Sequence, residues 1–494
     1  MSLISVNNLT FGYDGSLKNI FENVSFNIDT DWKLGLIGRN GKGKTTFLKL
    51  LLGKYEYQGA ISKNVEFDYF PFEVKNKERM AIEIVNEIAP NVEDWEIIRE
   101  LNLLNTDTEV LYRSFNLLSG GEQIKILLIS LFLKGNNFLL IDEPTNHLDI
   151  ETRNNLVNYL EKKKGFILVS HDRNFLDKVV NHIISINNTN IEIQQGNFSS
   201  WKENKNRQDN FEKIQNERLQ KDINRLEIAS KNCAKWSNEA EKTKNKKYNS
   251  ETTIDKGYIG HKADKMMKKS KVMEQRIEKA INEKTNLLKN IEVNDTLKII
   301  PLKSNKNPLI FAHNLQIKYS KETIFNPITF EVNNGDRVAL IGKNGIGKSS
   351  ILKLILGEEL QYNGEFMVAN DLKISYVSQS TEDLKGNLRT FAYDNKINES
   401  IFKAMLVKMG LSQFDFDTNI QDMSEGQKKK VLIAKSISEQ ANIYIWDEPL
   451  NYIDILTREQ IEDVILNCNP TIIFVEHDEK FIEKVATKII NLVK

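Results

Sequence analysis

The chain reads as one domain written twice. Tyr13 matches Tyr319, Lys44 matches Lys348, Ser119 matches Ser424, Asp142 matches Asp447 and His171 matches His477, at separations of 306, 304, 305, 305 and 306 residues. Five landmarks at one nearly constant separation mark an internal duplication. The copies are expected at residues 1–202 and 303–494, with residues 203–302 between them. A chain of 494 residues is too long for a single core, so size alone calls for such a division. The stretch PLKSNKNP, bounded by Pro301 and Pro308, reads as the linker into the second copy.

Bulk properties narrow the class. The 68 basic and 68 acidic residues cancel, so charge has to be read segment by segment. Cys233 and Cys468 have no CxxC or Cys/His surroundings and read as free thiols in a reducing compartment. The opening MSLISVNNLTFGYDG has neither the basic nor the apolar region of a signal peptide. The most apolar run, residues 124–133, is broken by Lys125 and is about half a membrane span. A transporter carrying its own membrane domain is therefore not expected.

The motifs sit in the order that gives them chemical meaning. DWKLGLIG reads as a buried strand, GRNGKGKT (residues 38–45) as a glycine loop, and the apolar residues up to Leu52 as a helix that stops at Gly53. Strand, loop and helix in that order define a phosphate-binding P-loop. Gly38, Gly41 and Gly43 let backbone N–H groups, with that of Asn40, close around phosphate. The helix N-terminus at Thr46 adds partial positive charge. Lys44 is placed to reach the β- and γ-phosphates of ATP, and the Thr45 hydroxyl to ligate Mg²⁺. FLLIDEP ends an apolar strand in two carboxylates: Asp142 on the Mg²⁺ side, and Glu143 to polarise the attacking water. LVSHD places His171 at the end of another strand, where a γ-phosphate contact is needed. In LSGGE, Ser119, Gly120 and Gly121 open a helix and form a second phosphate cradle, for a nucleotide other than the one on their own P-loop. The second copy repeats the set. GKNGIGKS supplies Gly342, Asn344, Gly345, Gly347, Lys348, Ser349 and Ser350, and Asp447, Glu448 and His477 follow. The second signature is MSEGQ, with Ser424 and Gly426 retained and Glu425 replacing a glycine.

Residues 203–302 carry no catalytic motif. Phe211, Ile214, Leu219, Ile223 and Leu226, and later Met273, Ile277, Ala280, Leu287 and Ile291, recur at helical spacing. Two antiparallel helices of roughly 30–35 residues are expected, each about 50 Å long, joined at a tip near residues 242–262. Between Lys231 and Lys271 stand twelve lysines against five acidic residues, +7 in a chain of zero net charge. Alone, such a run is as often a solvated linker as a contact surface. Between two ATP-using modules it reads as an arm facing a polyanion, through Lys244, Lys246, Lys247, Tyr248, Lys256, Tyr258, Lys262, Lys265, Lys268 and Lys269.

Taken together, these motifs resemble the ATP-binding cassettes, and the full layout resembles their family F, the soluble twin-cassette translation factors. Within it, WKLGLIGRNGKGKTT, LIDEPTNHLD, IDKGYIGHKADKMMKKSK and IYIWDEPLNYID resemble the Lsa-type antibiotic-resistance proteins of Gram-positive bacteria. The fold implied is α/β: two tandem P-loop ABC ATPase domains joined by a long antiparallel helical hairpin. The resemblance implies that Tyr13 and Tyr319 stack on adenine, and that Gln379 in SYVSQS senses Mg²⁺ and water. It also implies that the modules of a monomer close head to tail, each ATP lying between one P-loop and the opposite signature. Phe72 stands where the first module should have its glutamine, and Glu425 belongs to the same composite site. That site is expected to bind ATP and turn it over slowly. The function implied is that of a cytoplasmic ATPase whose ATP-closed form binds the bacterial ribosome, against 23S rRNA, at the tRNA exit site. Its linker displaces P-site tRNA, and drugs of the peptidyl-transferase centre (lincosamides, pleuromutilins, streptogramin A) are dislodged. A housekeeping translation factor and an ATPase pair serving a membrane efflux partner are the alternatives. The short stretch between Phe72 and the first signature leaves little room for an extra arm domain, and no long extension is read after Lys494.

Overall fold

The computed structural model describes residues 2–13, 19–135, 137–146, 148–187, 190–244, 265, 268–269, 271–273, 275–281, 297–319 and 322–494. Residues 1–201 and 294–494 form one compact unit, and residues 202–293 a second.

In the first module, β1 (Leu3–Phe11), β2 (Phe21–Asp29), β3 (Lys33–Ile37), α1 (Lys44–Leu51), β4 (Gln58–Ser62) and β5 (Glu66–Phe70) come first. Then follow α2 (Ala81–Ile88), α3 (Asp94–Leu103), α4 (Gly120–Leu133), β6 (Asn137–Asp142), α5 (Ile150–Leu160), β7 (Phe166–Val169), α6 (Arg173–Val179), β8 (His182–Asn187) and β9 (Asn190–Gln195). The central sheet runs β5-β6-β7-β3-β8-β9, parallel except for β9, and a three-stranded antiparallel sheet runs β2-β1-β4. A parallel strand covered on both faces reads as an unbroken apolar run. The strand β6 shows why: Leu139 and Ile141 face one core with Ile126 and Leu128 of α4, whereas Phe138 and Leu140 face the other with Phe47 and Leu48 of α1.

The second unit holds most of α7 (Phe198–Lys244), 47 residues and roughly 70 Å long at 1.5 Å per residue. This corrects the expected 30–35 residues. The helix begins earlier, because Phe198 is buried in the first module's core with Trp201 packed against it. Ile223 and Ile277 of this unit are both buried, which an isolated polar helix would not achieve. Lys244 ends α7, while Lys265, Lys268 and Lys269 are helical and exposed. Lys246, Lys247, Tyr248, Lys256, Tyr258 and Lys262 lie outside the described residues.

The second module repeats the first. It comprises β10 (Ile310–Tyr319), β11 (Glu322–Thr323), β12 (Ile328–Val332), β13 (Arg337–Ile341), α8 (Lys348–Ile355), β14 (Gln361–Val368), β15 (Ile374–Val377), α9 (Leu388–Asp394) and α10 (Glu399–Lys408). It ends with α11 (Glu425–Ser438), β16 (Ile443–Asp447), α12 (Ile455–Cys468), β17 (Ile472–Val475), α13 (Glu479–Val485) and β18 (Lys488–Asn491). Its parallel sheet runs β15-β16-β17-β13-β18. Among the described residues no helix is long and apolar enough to cross a membrane.

Candidate active site

Each P-loop links the central sheet strand to the helix behind it. Gly43 caps α1 at φ 93°, and a Cβ there would stand 2.6 Å from Ile20 Cγ2, so the turn needs glycine. Gly347 caps α8 at φ 97°. Gly38, Gly41, Gly342 and Gly345 also have positive φ. Lys44, largely buried, donates from Nζ to Gly38 O (2.7 Å) and Asn40 Oδ1 (3.1 Å). Lys348 donates to Gly342 O (2.8 Å) and Lys343 O (3.0 Å). Burial lowers the proton affinity of both ammonium groups, and nearby carboxylates oppose it. Thr46 shares a 2.8 Å hydrogen bond with the Tyr13 hydroxyl, and the Tyr13 ring is 45% exposed beside its own P-loop helix. Ser350 is buried in α8. Tyr319 ends β10, but its side chain lies outside the described residues.

The carboxylates follow at the ends of β6 and β16. Asp142 Oδ2 accepts from Thr45 Oγ1 (3.1 Å) and Tyr69 OH (2.9 Å). Asp447 accepts from Ser349, while its Oδ1 is buried without a partner. Burial raises the proton affinity of both aspartates. A hydroxyl paired with a shielded carboxylate oxygen beside a P-loop lysine is a hard oxygen set that fits Mg²⁺. Glu143 and Glu448 adopt left-handed backbone conformations, φ 52° and 47°. Non-glycine residues hold such conformations only when their surroundings impose them. Here Glu143 N donates to Val169 O (2.9 Å) and Glu448 N to Val475 O (3.0 Å), which aims both side chains off the sheet end.

The two glutamates are held differently. His171 Nε2 lies 3.1 Å from Glu143 Oε1, yet neither oxygen of Glu143 has a well-formed hydrogen bond. Burial, then Asp142, pushes the Glu143 carboxyl up to about 8, and burial lowers the His171 imidazole well below its usual range. Glu448 Oε2 accepts from Asn451 Nδ2 (2.7 Å), and His477 Nε2 is 3.7 Å from Oε1. Burial also lowers the His477 imidazole.

The modules meet head to tail. Asn40 in the first P-loop donates from Nδ2 to Tyr452 O (2.7 Å), and its N–H points at Asp454 Oδ2 (3.5 Å). A Cβ on Gly426 would come within 2.7 Å of Tyr452 O and 2.8 Å of Asn40 Nδ2, so the second signature admits the opposing P-loop only as glycine. In the other direction the Asn344 N–H donates to Asp149, and Lys343 pairs with Glu151 at 2.8 Å. Ser119 and Ser424 cap α4 and α11 through capping boxes with Glu122 and Gln427. A Cβ on Gly120 would meet nothing within 4 Å, and one on Gly121 only Thr152 and Leu148.

Three residues behave otherwise than their types suggest. The Glu425 carboxylate, expected near phosphate, takes the Thr381 hydroxyl and the Lys428 ammonium (2.9 Å) instead. Its charge is thus largely compensated within its own module. Phe72 is 41% exposed. Gln379 is exposed, two residues past the end of β15. Sequence reasoning missed Asp454, fully buried against Lys430 (2.9 Å), and a buried ionic cluster between the modules. In that cluster Arg173 forks onto Glu462, Arg458 pairs with Asp478 (3.0 Å), and Arg153 bridges Asp172 (3.2 Å) and His477 O (3.0 Å). The repeat held part of this signal, because Arg153 and Arg458 stand 305 residues apart.

Comparison with known proteins agrees with this geometry. A family model described as ABC transporter matches residues 21–146 and again 325–451, each match running from before a P-loop to the turn after its paired carboxylates. The chain belongs to the ABC family. The ATP-binding protein Uup of Buchnera aphidicola subsp. Acyrthosiphon pisum (strain APS) is 30% identical over 99% of this chain and 80% of its own length. The ribosome protection protein VmlR of Bacillus subtilis (strain 168) is 28% identical over 96% of this chain and 84% of its own. ABC transporter F family member 2 of Arabidopsis thaliana is 24% identical over 99% and 76%. The homologues are thus family F proteins. Among solved structures, the archaeal ribosome recycling factor aABCE1, in complex with the stalk protein aP1, superposes with a TM-score of 0.62. It covers 98% of this chain and 87% of its own at 18% identity, a likeness of fold. ABC ATPase domains bind ATP with Mg²⁺, and this chain is an ATP hydrolase.

Proposed function

We propose that this ATPase is a ribosome-associated, cytoplasmic protein that protects the bacterial ribosome from drugs of the peptidyl-transferase centre, in the manner of the Lsa-type proteins. The observation that carries the reading is the reciprocal closure of the modules. Each P-loop is hydrogen-bonded to the loop following the other module's glutamate, Asn40 to Tyr452 and Asn344 to Asp149. ATP binding and module closure are then one event, and hydrolysis undoes it. The name of the relative VmlR supports a ribosomal target, and the lysines of residues 231–271 supply charge for rRNA or tRNA. In this reading the closed form occupies the tRNA exit site, the linker repositions P-site tRNA, and lincosamides, pleuromutilins and streptogramin A lose their hold.

Within each site Lys44 or Lys348 binds the β- and γ-phosphates, and Tyr13 or Tyr319 the adenine. Glu143 or Glu448 takes a proton from the attacking water, and His171 or His477 holds the γ-phosphate. Thr45 and Asp142 in one site, and Ser349, Asp447 and Gln379 in the other, would hold Mg²⁺, which would neutralise phosphate charge. Ser119, Gly120 and Gly121, with Ser424 and Gly426, close on the opposite nucleotide. The site of Lys44 turns over more slowly, because Phe72 offers no amide where Gln379 does.

Expression in a drug-sensitive bacterium tests the reading. Raised resistance to a lincosamide, a pleuromutilin and streptogramin A is expected, without change toward a drug acting elsewhere, and with loss of the effect in Glu143→Gln/Glu448→Gln. Ribosome binding without any gain in resistance would identify a housekeeping translation factor instead.

A further inference from the structure

The two modules differ at a place where their motifs do not. The fifth residue after the signature serine is Ile124 in the first module and Lys429 in the second. Lys429 is 2% exposed, and its ammonium donates to Ser378 O at 2.8 Å. Ser378 immediately precedes Gln379, so this buried cation fixes the root of the glutamine loop. Its other charged neighbours are carboxylates: Glu476, Glu448, Asp447 and Glu425.

The residue before the switch histidine differs as well. In the first module it is Ser170, whose hydroxyl lies 3.1 Å from the Thr145 hydroxyl and accepts from Asp172 N. In the second it is Glu476, 4% exposed. Its Oε1 accepts from Leu450 N (2.7 Å) and its Oε2 from His477 N (3.1 Å). One carboxylate therefore ties the turn after Glu448 to the switch loop. The next residue of that turn is Asn451, the residue that holds the Glu448 carboxylate. Arg458 grips the same turn from α12, donating to Leu450 O at 2.9 Å. In the first module the corresponding turn is tied to the switch loop only through the Ser170 hydroxyl, with no buried carboxylate or lysine, and the Glu143 carboxylate has no amide partner like Asn451.

We propose that Lys429 and Glu476 are positioning residues of the ATP site built on Lys348. Lys429 sets the glutamine loop, and Glu476 sets the Glu448 turn and the switch loop in register with it. The first module has neither. The inference rests on the reading that Glu448 and Gln379 serve hydrolysis at this site, and it gives that site's faster turnover a structural cause beyond Gln379. Both side chains are buried and bond backbone groups behind the site residues, so their loss should lower kcat and leave the KM for ATP unchanged.

The test uses the full chain in two backgrounds. In Glu143→Gln, only the Lys348 site is left to hydrolyse. There Lys429→Ile and Glu476→Ser, the first module's own residues, should each lower kcat about tenfold with KM within about twofold, and Lys429→Arg should restore most of the loss. In Glu448→Gln, only the Lys44 site remains, and the same substitutions should leave its rate within about twofold, which also shows that the variants fold. Equal losses in both backgrounds, or a raised KM at constant kcat, would overturn the inference. No turnover in Glu143→Gln before any further substitution would refute the underlying reading of that site. The inference is then judged in the unsubstituted chain, where an unchanged kcat in Lys429→Ile and Glu476→Ser would overturn it.

Discussion

Removing Glu462 should cost more stability than any exposed ion pair in the molecule can supply. Glu462 is fully buried on α12, and Arg173, at the start of α6 in the other module, forks onto it with a side chain only 9% exposed. Lys484 adds a second contact at 2.9 Å, but is 45% exposed and can turn to water. Glu462→Ala therefore leaves Arg173 buried without its forked partner, with Asp478 at 3.9 Å and Glu459 more weakly placed. Breaking one side of a buried pair costs about 3–5 kcal/mol, because the remaining charge is stranded. For a module of 150–250 residues each kcal/mol moves Tm by about 2–4 °C, so a fall of about 6–20 °C is expected. The pair Lys343–Glu151, at 71% and 63% exposure, should contribute about 0–1 kcal/mol and fade in high salt. Differential scanning calorimetry of Glu462→Ala, Arg173→Ala and the double variant, at low and at about 0.5 M salt, reads both size and screening. The double variant should lose far less than the sum, because no charge is then stranded. A loss below about 1 kcal/mol for Glu462→Ala, or one abolished by salt, would refute the reasoning.

Other consequences are equally open to measurement. Gly426→Ala should hinder closure of the first P-loop on the second signature, since its Cβ would stand 2.8 Å from Asn40 Nδ2 of that P-loop and 2.7 Å from Tyr452 O of its own module, whereas Gly120→Ala has open space and should keep ATPase activity. Steady-state ATPase assays separate them, and equal effects would contradict the close approach. Glu448→Gln should lower total ATPase activity more than Glu143→Gln; equal losses would remove the asymmetry between the sites. Burial pushes the Glu476 carboxyl up to about 7. A raised value favours the protonated form in the fold, so this group's stabilisation is complete below about pH 4 and is lost as pH rises through about 7. In the nucleotide-free protein, Glu476→Gln should therefore flatten the decline of thermal stability over that interval. A decline identical to that of the parent would count against the assignment.

The parts legible in the sequence were those whose cause is local. A strand, a glycine loop and a helix are contiguous in residues 31–52, so the P-loop was readable, as were Asp142 and Glu143 at the end of an apolar run. Contacts that depend on closure were not. Arg173 and Glu462 are 289 residues apart, and the repeat gives no hint of the pair, because Glu479 stands where a second Arg173 would be. Glu425 was assigned to the composite site from its position in the signature, but its partners Thr381 and Lys428 are known only from the fold. The start of α7 was read too late because Phe198 and Trp201 serve the first module's core while already helical.

The central claim is that ATP-driven closure creates the ribosome-binding form. The direct test is sedimentation of the Glu143→Gln/Glu448→Gln chain with purified bacterial ribosomes, in ATP and in ADP. The account predicts that the protein travels with ribosomes in ATP and stays behind in ADP. A folded, ATP-binding double variant that fails to sediment with ribosomes in either nucleotide would contradict it.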